Sequence, residues 1–361
     1  MSEEYIDQAQ HVRPGEELDR PALLRFLSQA LGSERGEVRV RQFPSGHSNL
    51  TYLVEAGDHQ WVLRRPPLGT RPSSGHDMAR EYRILAALNE QVDWVPRPVA
   101  LCEDDDILGA PFYLMQRVRG VILRGDDGGV GELGREQWRR LSSLCIDTLA
   151  AIHEVDIEGA ELADIGKPPG YVERQIEGWT RRWEQSRTDA IETIEDVADW
   201  LNRNQPPENL EQTALIHNDF KYDNLVLDAE TLASVRAVLD WELATLGDRR
   251  MDLGTTLAYW TEPDDDPTLL AMGLGPTVQP GNFNRRQVVE HYQKVTDRQI
   301  DDLLFFYVYG LFKVAVIGQQ IYYRFHHGET EDPRFAGLIH AVRALGRQAA
   351  AALESDSISN G

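Results

Sequence analysis

The chain has 361 residues, a hydrophobic share of 41% and a formal charge of −22 at pH 7, the profile of an ordered acidic protein longer than one core usually supports. An acidic surface repels the phosphates of nucleic acid and of anionic lipid, which excludes both as electrostatic partners. Cys102 and Cys145 stand far apart and form neither a disulfide framework nor a zinc motif.

The first residues, MSEEYIDQAQ, lack the basic and apolar regions of a secretory signal, so the cytoplasm is the expected address. PALLRFLSQAL, residues 21–31, carries apolar side chains at helical spacing behind a first-turn proline and predicts a short leading helix. The stretch VRVRQFPSGHSNLTYLVEAGDHQWVLRR alternates apolar and polar residues around a Gly-Asp turn and predicts a β-hairpin. GHDMAREYRILAAL then returns to helical spacing through Met78, Tyr82, Leu85 and Leu88. PFYLMQRVRG reads as a buried strand leading into a turn.

From about Gly120 the pattern becomes mostly helical, which predicts two lobes, residues 1–118 and 119–361. REQWRRLSSLCIDTLAAIHEVD repeats apolar residues along one helical face. GYVERQIEGWTRRWEQS and DAIETIEDVADWLNR follow as helices, and DDLLFFYVYGLFKVAVIGQQIYYRF reads as a long, buried one. No apolar stretch approaches the roughly 20 residues of a membrane span. The acidic runs at Asp104 to Asp106 and Asp264 to Asp266 read as solvated loops.

The run HNDFKYDNLVLD, residues 217–228, places Asp219 two residues after His217 and Asn224 five residues further on, between apolar flanks. A second apolar stretch, VRAVLDWE, carries Asp240. One carboxylate to take an acceptor's proton, and an amide and a carboxylate to hold Mg²⁺, are the parts that phosphoryl transfer needs. Taken alone the run is also what a polar turn between core strands looks like; Asp240 at its separation favours the chemical reading. Asp219 is therefore the expected catalytic base, and Asn224 and Asp240 the expected Mg²⁺ ligands.

Upstream, SGHSNLTYLV presents Gly46, Ser48 and Asn49, whose backbone amides could cover a triphosphate. VLRRPP offers Arg64 for phosphate pairing, with Glu81 as its helical ion-pair partner. Arg65 stands beside it, and strand alternation lets only one of the two face the phosphates.

On these motifs the chain resembles the aminoglycoside phosphotransferase/choline kinase-like family. More narrowly, LDWELATLGDRRMDLGTTLAYW and GYVERQIEGWTRRW resemble the kinase-type domain that occurs in acyl-CoA dehydrogenase family members 10 and 11. The resemblance implies an α+β, bilobal protein-kinase-like fold, with an antiparallel sheet in the small N-lobe and a mostly helical C-lobe. It implies ATP and Mg²⁺ as cofactors and a small-molecule hydroxyl as acceptor. It also implies an adenine hinge at Gln116, Arg117 and Val118, and supporting roles for His217 and Asp252 beside the loop. Glu242 and Asp248 are read either as further metal or supporting residues, or as a cap or ion pair. The family's usual nucleotide lysine is here an arginine, whose planar fork also pairs with phosphate.

Tyr259, Trp260, Gln319, Tyr322, Tyr323 and Arg324 are read as either acceptor-pocket lining or core. The absence of DFG and APE triplets disfavours a protein kinase, and the absence of a GKS or GKT after a glycine loop excludes a Walker-type NTPase. The rival from another class is a kinase-like nucleotide-binding module without turnover.

Overall fold

The computed structural model describes residues 5–32, 37–44, 49–67, 77–125, 129–330 and 332–359. In chain order the elements are α1 (Arg20–Leu31), β1 (Val38–Gln42), β2 (Leu50–Ala56), β3 (His59–Arg65), α2 (Met78–Asn89), β4 (Pro98–Cys102), α3 (Asp105–Leu108) and β5 (Phe112–Gln116). There follow α4 (Arg135–His153), α5 (Tyr171–Ser186), α6 (Glu192–Arg203), β6 (Thr213–Ile216), β7 (Leu225–Leu227), β8 (Val235–Val238) and β9 (Thr245–Asp248). The chain ends through α7 (Arg249–Tyr259), α8 (Pro267–Ala271), α9 (Arg285–Thr296), α10 (Leu303–His326) and α11 (Leu338–Ser355).

Two compact units divide the chain: residues 1–122 with 158–162 and 225–243 form the first, and the remainder forms the second. The first unit is built on an antiparallel sheet in the order β1-β2-β3-β5-β4. Gly57 takes a φ of 58° in the two-residue connection between Ala56 and His59, the positive angle a tight hairpin demands. The predicted hairpin is thus part of a three-stranded meander, because β1 also pairs along β2. Alternate side chains Tyr52, Val54, Leu63 and Leu114 meet Leu23 and Leu27 of α1 in one core cluster. That helix starts where the Asp19 carboxylate accepts from Ala22 N and Pro21 presets the first turn.

The segment of β7 and β8 joins this unit through backbone bonds. Val121 N donates to Leu227 O at 2.9 Å, and Val238 N donates to Trp94 O at 2.8 Å. The rings of Trp94 and Trp241 stack with centroids 6.2 Å apart. Asp240 is therefore carried by the unit that also carries Arg64 and Glu81.

The second unit is helical around the antiparallel pair β6-β9. β9 runs straight into α7, which Asp248 caps by accepting from Arg250 N at 2.9 Å. Helix α10 is long and apolar enough, by length and composition, to cross a membrane, which corrects the expectation that no stretch approaches that length. Its surface is instead buried, from Phe305 through Val316, where it packs on α5, α6, α7 and α11. Two glycines let α7 and α10 touch backbone to backbone: a Cβ on Gly254 would stand 2.1 Å from Phe306 O, and one on Gly310 2.2 Å from Gly254 O. Any larger side chain would force the helices apart.

The acidic run at Asp264 to Asp266 is not a solvated loop. Asp265 is buried and pairs with the buried guanidinium of Arg285, with Glu262 alongside. Asp266 caps α8. Burying a charge requires a partner of opposite sign, and Arg285, twenty residues away, supplies it. Asp104 to Asp106 are exposed as expected, but they are not a loop: Asp104 caps α3, and Asp105 and Asp106 form its first turn.

Candidate active-site residues

Within the second unit, β6 delivers the chain into the loop at residues 217–224. Asn218 has a φ of 68°, a left-handed conformation that asparagine tolerates better than other residues with a side chain. The buried Asp252 carboxylate on α7 accepts from His217 N at 2.7 Å and from Asn218 N at 2.8 Å. It also accepts from His153 Nε2 at 3.1 Å, while Tyr292 OH donates to His153 Nδ1 at 2.7 Å. This network assigns His153 as the neutral Nε2–H tautomer, and burial holds its pKa below the ordinary value. For Asp252, burial alone would raise the pKa; its bonds from His153 and His217 outweigh that and hold it below the usual carboxylate range.

The reversed turn presents Asp219. Its carboxylate is 18% exposed and accepts from Lys221 Nζ at 2.8 Å. Asn224 Nδ2 donates to Asp219 O at 2.8 Å and faces Asp219 Oδ2 at 3.3 Å. With its amino group engaged there, Asn224 turns its carbonyl oxygen elsewhere. His217 Nδ1 accepts from Asp219 N at 3.3 Å, so the ring braces the loop. Lys221 lies over the Tyr259 ring at 4.6 Å. Burial opposes its charge, but Asp219 beside it lifts its pKa above the ordinary lysine value.

Within the first unit, alternation along β3 separates the two arginines. Arg65 turns to the α1 side, where Nη1 donates to Leu108 O at 2.8 Å. Arg64 turns to the α2 side and meets three carboxylates: Asp240 at 2.9 Å, Glu242 at 3.0 Å and Glu81 at 3.5 Å. Burial works against the guanidinium's charge, but Glu81, Asp240, Tyr113 and Glu242 hold it protonated. Burial raises the pKa of Glu81, and Arg64 opposes the rise. Glu242 also accepts from Asn49 Nδ2 at 2.5 Å, tying the residue just before β2 to the Asp240 segment. Asp240 itself has a φ of 68°, between β8 and a Trp241 anchored by Nε1 to Val238 O at 2.9 Å. Left-handed backbone at a non-glycine residue is strain that clusters at functional sites.

Gly46 and Ser48 lie outside the described residues. Gln116 ends β5 with an exposed side chain and donates its N–H to Arg97 O at 2.8 Å. Arg117 donates to Gln60 Oε1 at 3.0 Å and to Asp7 O at 3.2 Å, and Val118 is half-buried. Asp248 is a helix cap that pairs with Arg250 at 2.7 Å. Of the six residues read as pocket or core, Tyr259 reaches the loop. Trp260 donates to Phe283 O at 2.7 Å, and Gln319 donates to Ser186 O at 2.7 Å, both buried. Tyr323 at the end of α10 stacks on His327.

No trio of His, Cys, Asp or Glu among the described residues is arranged to hold a metal ion. Mg²⁺ rarely uses such a cage, taking one or two protein oxygens alongside substrate phosphates and water. Asn224 in the second unit and Asp240 in the first each carry a hard oxygen donor of that kind. Sequence reading passed over Tyr171, whose OH lies 3.2 Å from Asn218 Nδ2, and Lys313. The signal for Lys313 was a single lysine inside the apolar run from Leu303 to Ile317 of α10.

The family model for APH, the phosphotransferase enzyme family, matches residues 39–287. Acyl-CoA dehydrogenase family member 11 of Gallus gallus is 32% identical over 96% of this chain and 45% of its own length. Family member 10 of Mus musculus is 34% identical over 90% of this chain and 30% of its own. The chain thus spans less than half the length of these curated relatives. A solved structure from Ralstonia eutropha, provisionally designated an aminoglycoside phosphotransferase, superposes with a TM-score of 0.76 at 28% identity, covering 93% of this chain and 99% of that one. The microcompartment-associated aminopropanol kinase shares the fold, with a TM-score of 0.60 at 19% identity over 93% and 99% of the two chains. With more than half of its length matched by the family model, the chain belongs to the APH phosphotransferase enzyme family and has the α+β, kinase-like fold of those enzymes.

Proposed function

We propose that this chain transfers the γ-phosphate of ATP, with Mg²⁺, to a hydroxyl of a small molecule, with Asp219 as the base. The observation that carries this reading is the construction of the loop. A left-handed Asn218 and a buried Asp252 hold the backbone, while Asp219 keeps a partly exposed carboxylate. A structural turn has no need of so much support; a carboxylate that must point at an attacking hydroxyl does.

In this reading the acceptor O–H gives its proton to Asp219 as its oxygen attacks the γ-phosphorus. The bond to the β-phosphate oxygen breaks, and ADP leaves. Arg64, paired with Glu81, carries the positive charge for the nucleotide, and Asn49, Gly46 and Ser48 belong to the covering loop. Gln116 and Val118 flank the adenine hinge. Asn224 and Asp240 would hold Mg²⁺, which neutralises phosphate charge when bound. His217 and Asp252 keep the loop in register. Acceptors to be considered are amino sugars, amino alcohols and hydroxyacyl compounds.

A screen for ADP release across those three acceptor classes tests the reading. At least one class is expected to stimulate release. Silence across the panel, with tight ATP binding retained, would favour a regulatory binding module. The metal assignment has its own test. Asp240→Ala is expected to weaken ATP binding in the presence of Mg²⁺ by about 10- to 100-fold and to leave binding in EDTA much less changed. Calorimetric titration reads both conditions, and equal losses would count against the metal role.

A further inference from the structure

Arginine supplies all but four of the 37 basic residues of this chain, and one of the four lysines sits in the most apolar helix. Lys313 is 2% exposed. An ammonium buried in that way costs several kcal/mol that leucine or methionine would not, so its retention needs a reason. Its Nζ donates to Asn218 O at 2.5 Å and lies 3.4 Å from Asn218 Oδ1. The Asn218 turn is thus held on several sides: Asp252 takes its N–H, Tyr171 meets its amide group, and Lys313 takes its carbonyl.

The reach of the lysine is set by the close helix crossing. Gly310 packs against Gly254, and Lys313 follows Gly310 by three residues on α10. Nζ is a compact donor at the end of a slender stem, whereas an arginine would bring a planar fork to the same buried carbonyl. Burial draws the ammonium down to about 8; Asp252 from α7 and Asp219 of the loop oppose this, while Lys221 of the loop and Arg182 of α5 add to it.

We propose that Lys313 is a positioning residue for phosphate transfer: by clamping the Asn218 carbonyl it maintains the left-handed turn, and so aims the Asp219 carboxylate. Its importance to transfer rests on Asp219 being the base. The clamp itself is measurable without turnover, so the two readings fail separately.

Hydrogen exchange on the intact chain, read by mass spectrometry for the peptide spanning residues 213–224, tests the clamp. In Lys313→Met the loop amides are expected to exchange on the order of tenfold faster or more, while α11 keeps wild-type protection. In Asn218→Gly, where glycine adopts positive φ without strain, adding Lys313→Met should change loop exchange much less. Wild-type protection of the loop, corrected for chemical exchange, should fall between pH 7 and pH 9, because a neutral amine makes a weaker bond than an ammonium. Unchanged loop exchange in Lys313→Met, or an equal rise in α11, would overturn the proposal. Should that variant not fold, a flat wild-type profile across the same pH range would overturn it.

Discussion

Asp219→Asn is expected to lower phosphate transfer by about 10²- to 10⁴-fold, the usual contribution of a positioned base. The amide has the shape of the carboxylate but cannot take the acceptor's proton. The partners it would disturb are few: Lys221 Nζ at 2.8 Å, Asn224 Nδ2 at 3.3 Å and the side chain of Tyr259. Thermal stability and binding of ATP with Mg²⁺ should therefore stay close to wild type. The measurement is turnover on whichever acceptor stimulates ADP release, with nucleotide affinity determined on the same preparation. Turnover within a few-fold of wild type would remove Asp219 as the base.

Asp252→Ala should be the costliest of these substitutions for stability. It would leave His217 N, Asn218 N and His153 Nε2 without their carboxylate acceptor in a fully buried place. Buried donors stripped of a charged acceptor cost about 1–3 kcal/mol each, and relaxation of the loop will recover part of that. A loss of about 3–5 kcal/mol is expected in chemical denaturation. The pH dependence identifies the cause. The folded pKa of Asp252 lies below the usual carboxylate value, so its contribution is complete above about pH 4 and fades as pH falls through the folded value. The gap between wild type and Asp252→Ala should therefore narrow in strong acid. His153 works in the same direction at higher pH. Its folded pKa is depressed, so the unfolded chain takes up the proton first and wild-type stability declines as pH falls below about 6.5. A deficit in Asp252→Ala that ignores pH would point to a packing effect instead.

Chemistry with a fixed spacing was legible in the chain. His217, Asp219 and Asn224 lie within eight residues, and the local backbone alone brings Asn224 back onto Asp219. Asp240 was legible because it ends an apolar stretch at a recognisable separation. The leading helix, α2, β5 and the long helices α4 and α10 were legible because each carries an apolar period over many residues.

Other features depend on contacts far apart in sequence. Arg64 and Arg65 are identical in type, and alternation says only that they diverge. Pairing of β3 with β2 and β5, with α1 and α3 on one side and α2 on the other, assigns Arg64 to the carboxylates. The acidic run near Asp265 looked solvated because its counter-ion, Arg285, belongs to another helix. Glu242 had two readings until Asn49 and Arg64 were seen on its carboxylate.

By itself, the sequence determined the reaction type and the order of its most periodic elements, and it supplied the residues proposed to take a proton and to offer oxygen to a metal. These follow from side-chain chemistry and short-range spacing. The tertiary structure alone decided that the Asp240 segment joins the compact unit of Arg64, that Asp252 and His153 lie beneath the loop, and that Lys313 reaches Asn218 across a glycine-lined helix crossing. Each of these depends on which backbone surfaces pack together, and a buried lysine or carboxylate is tolerated only where distant partners meet it.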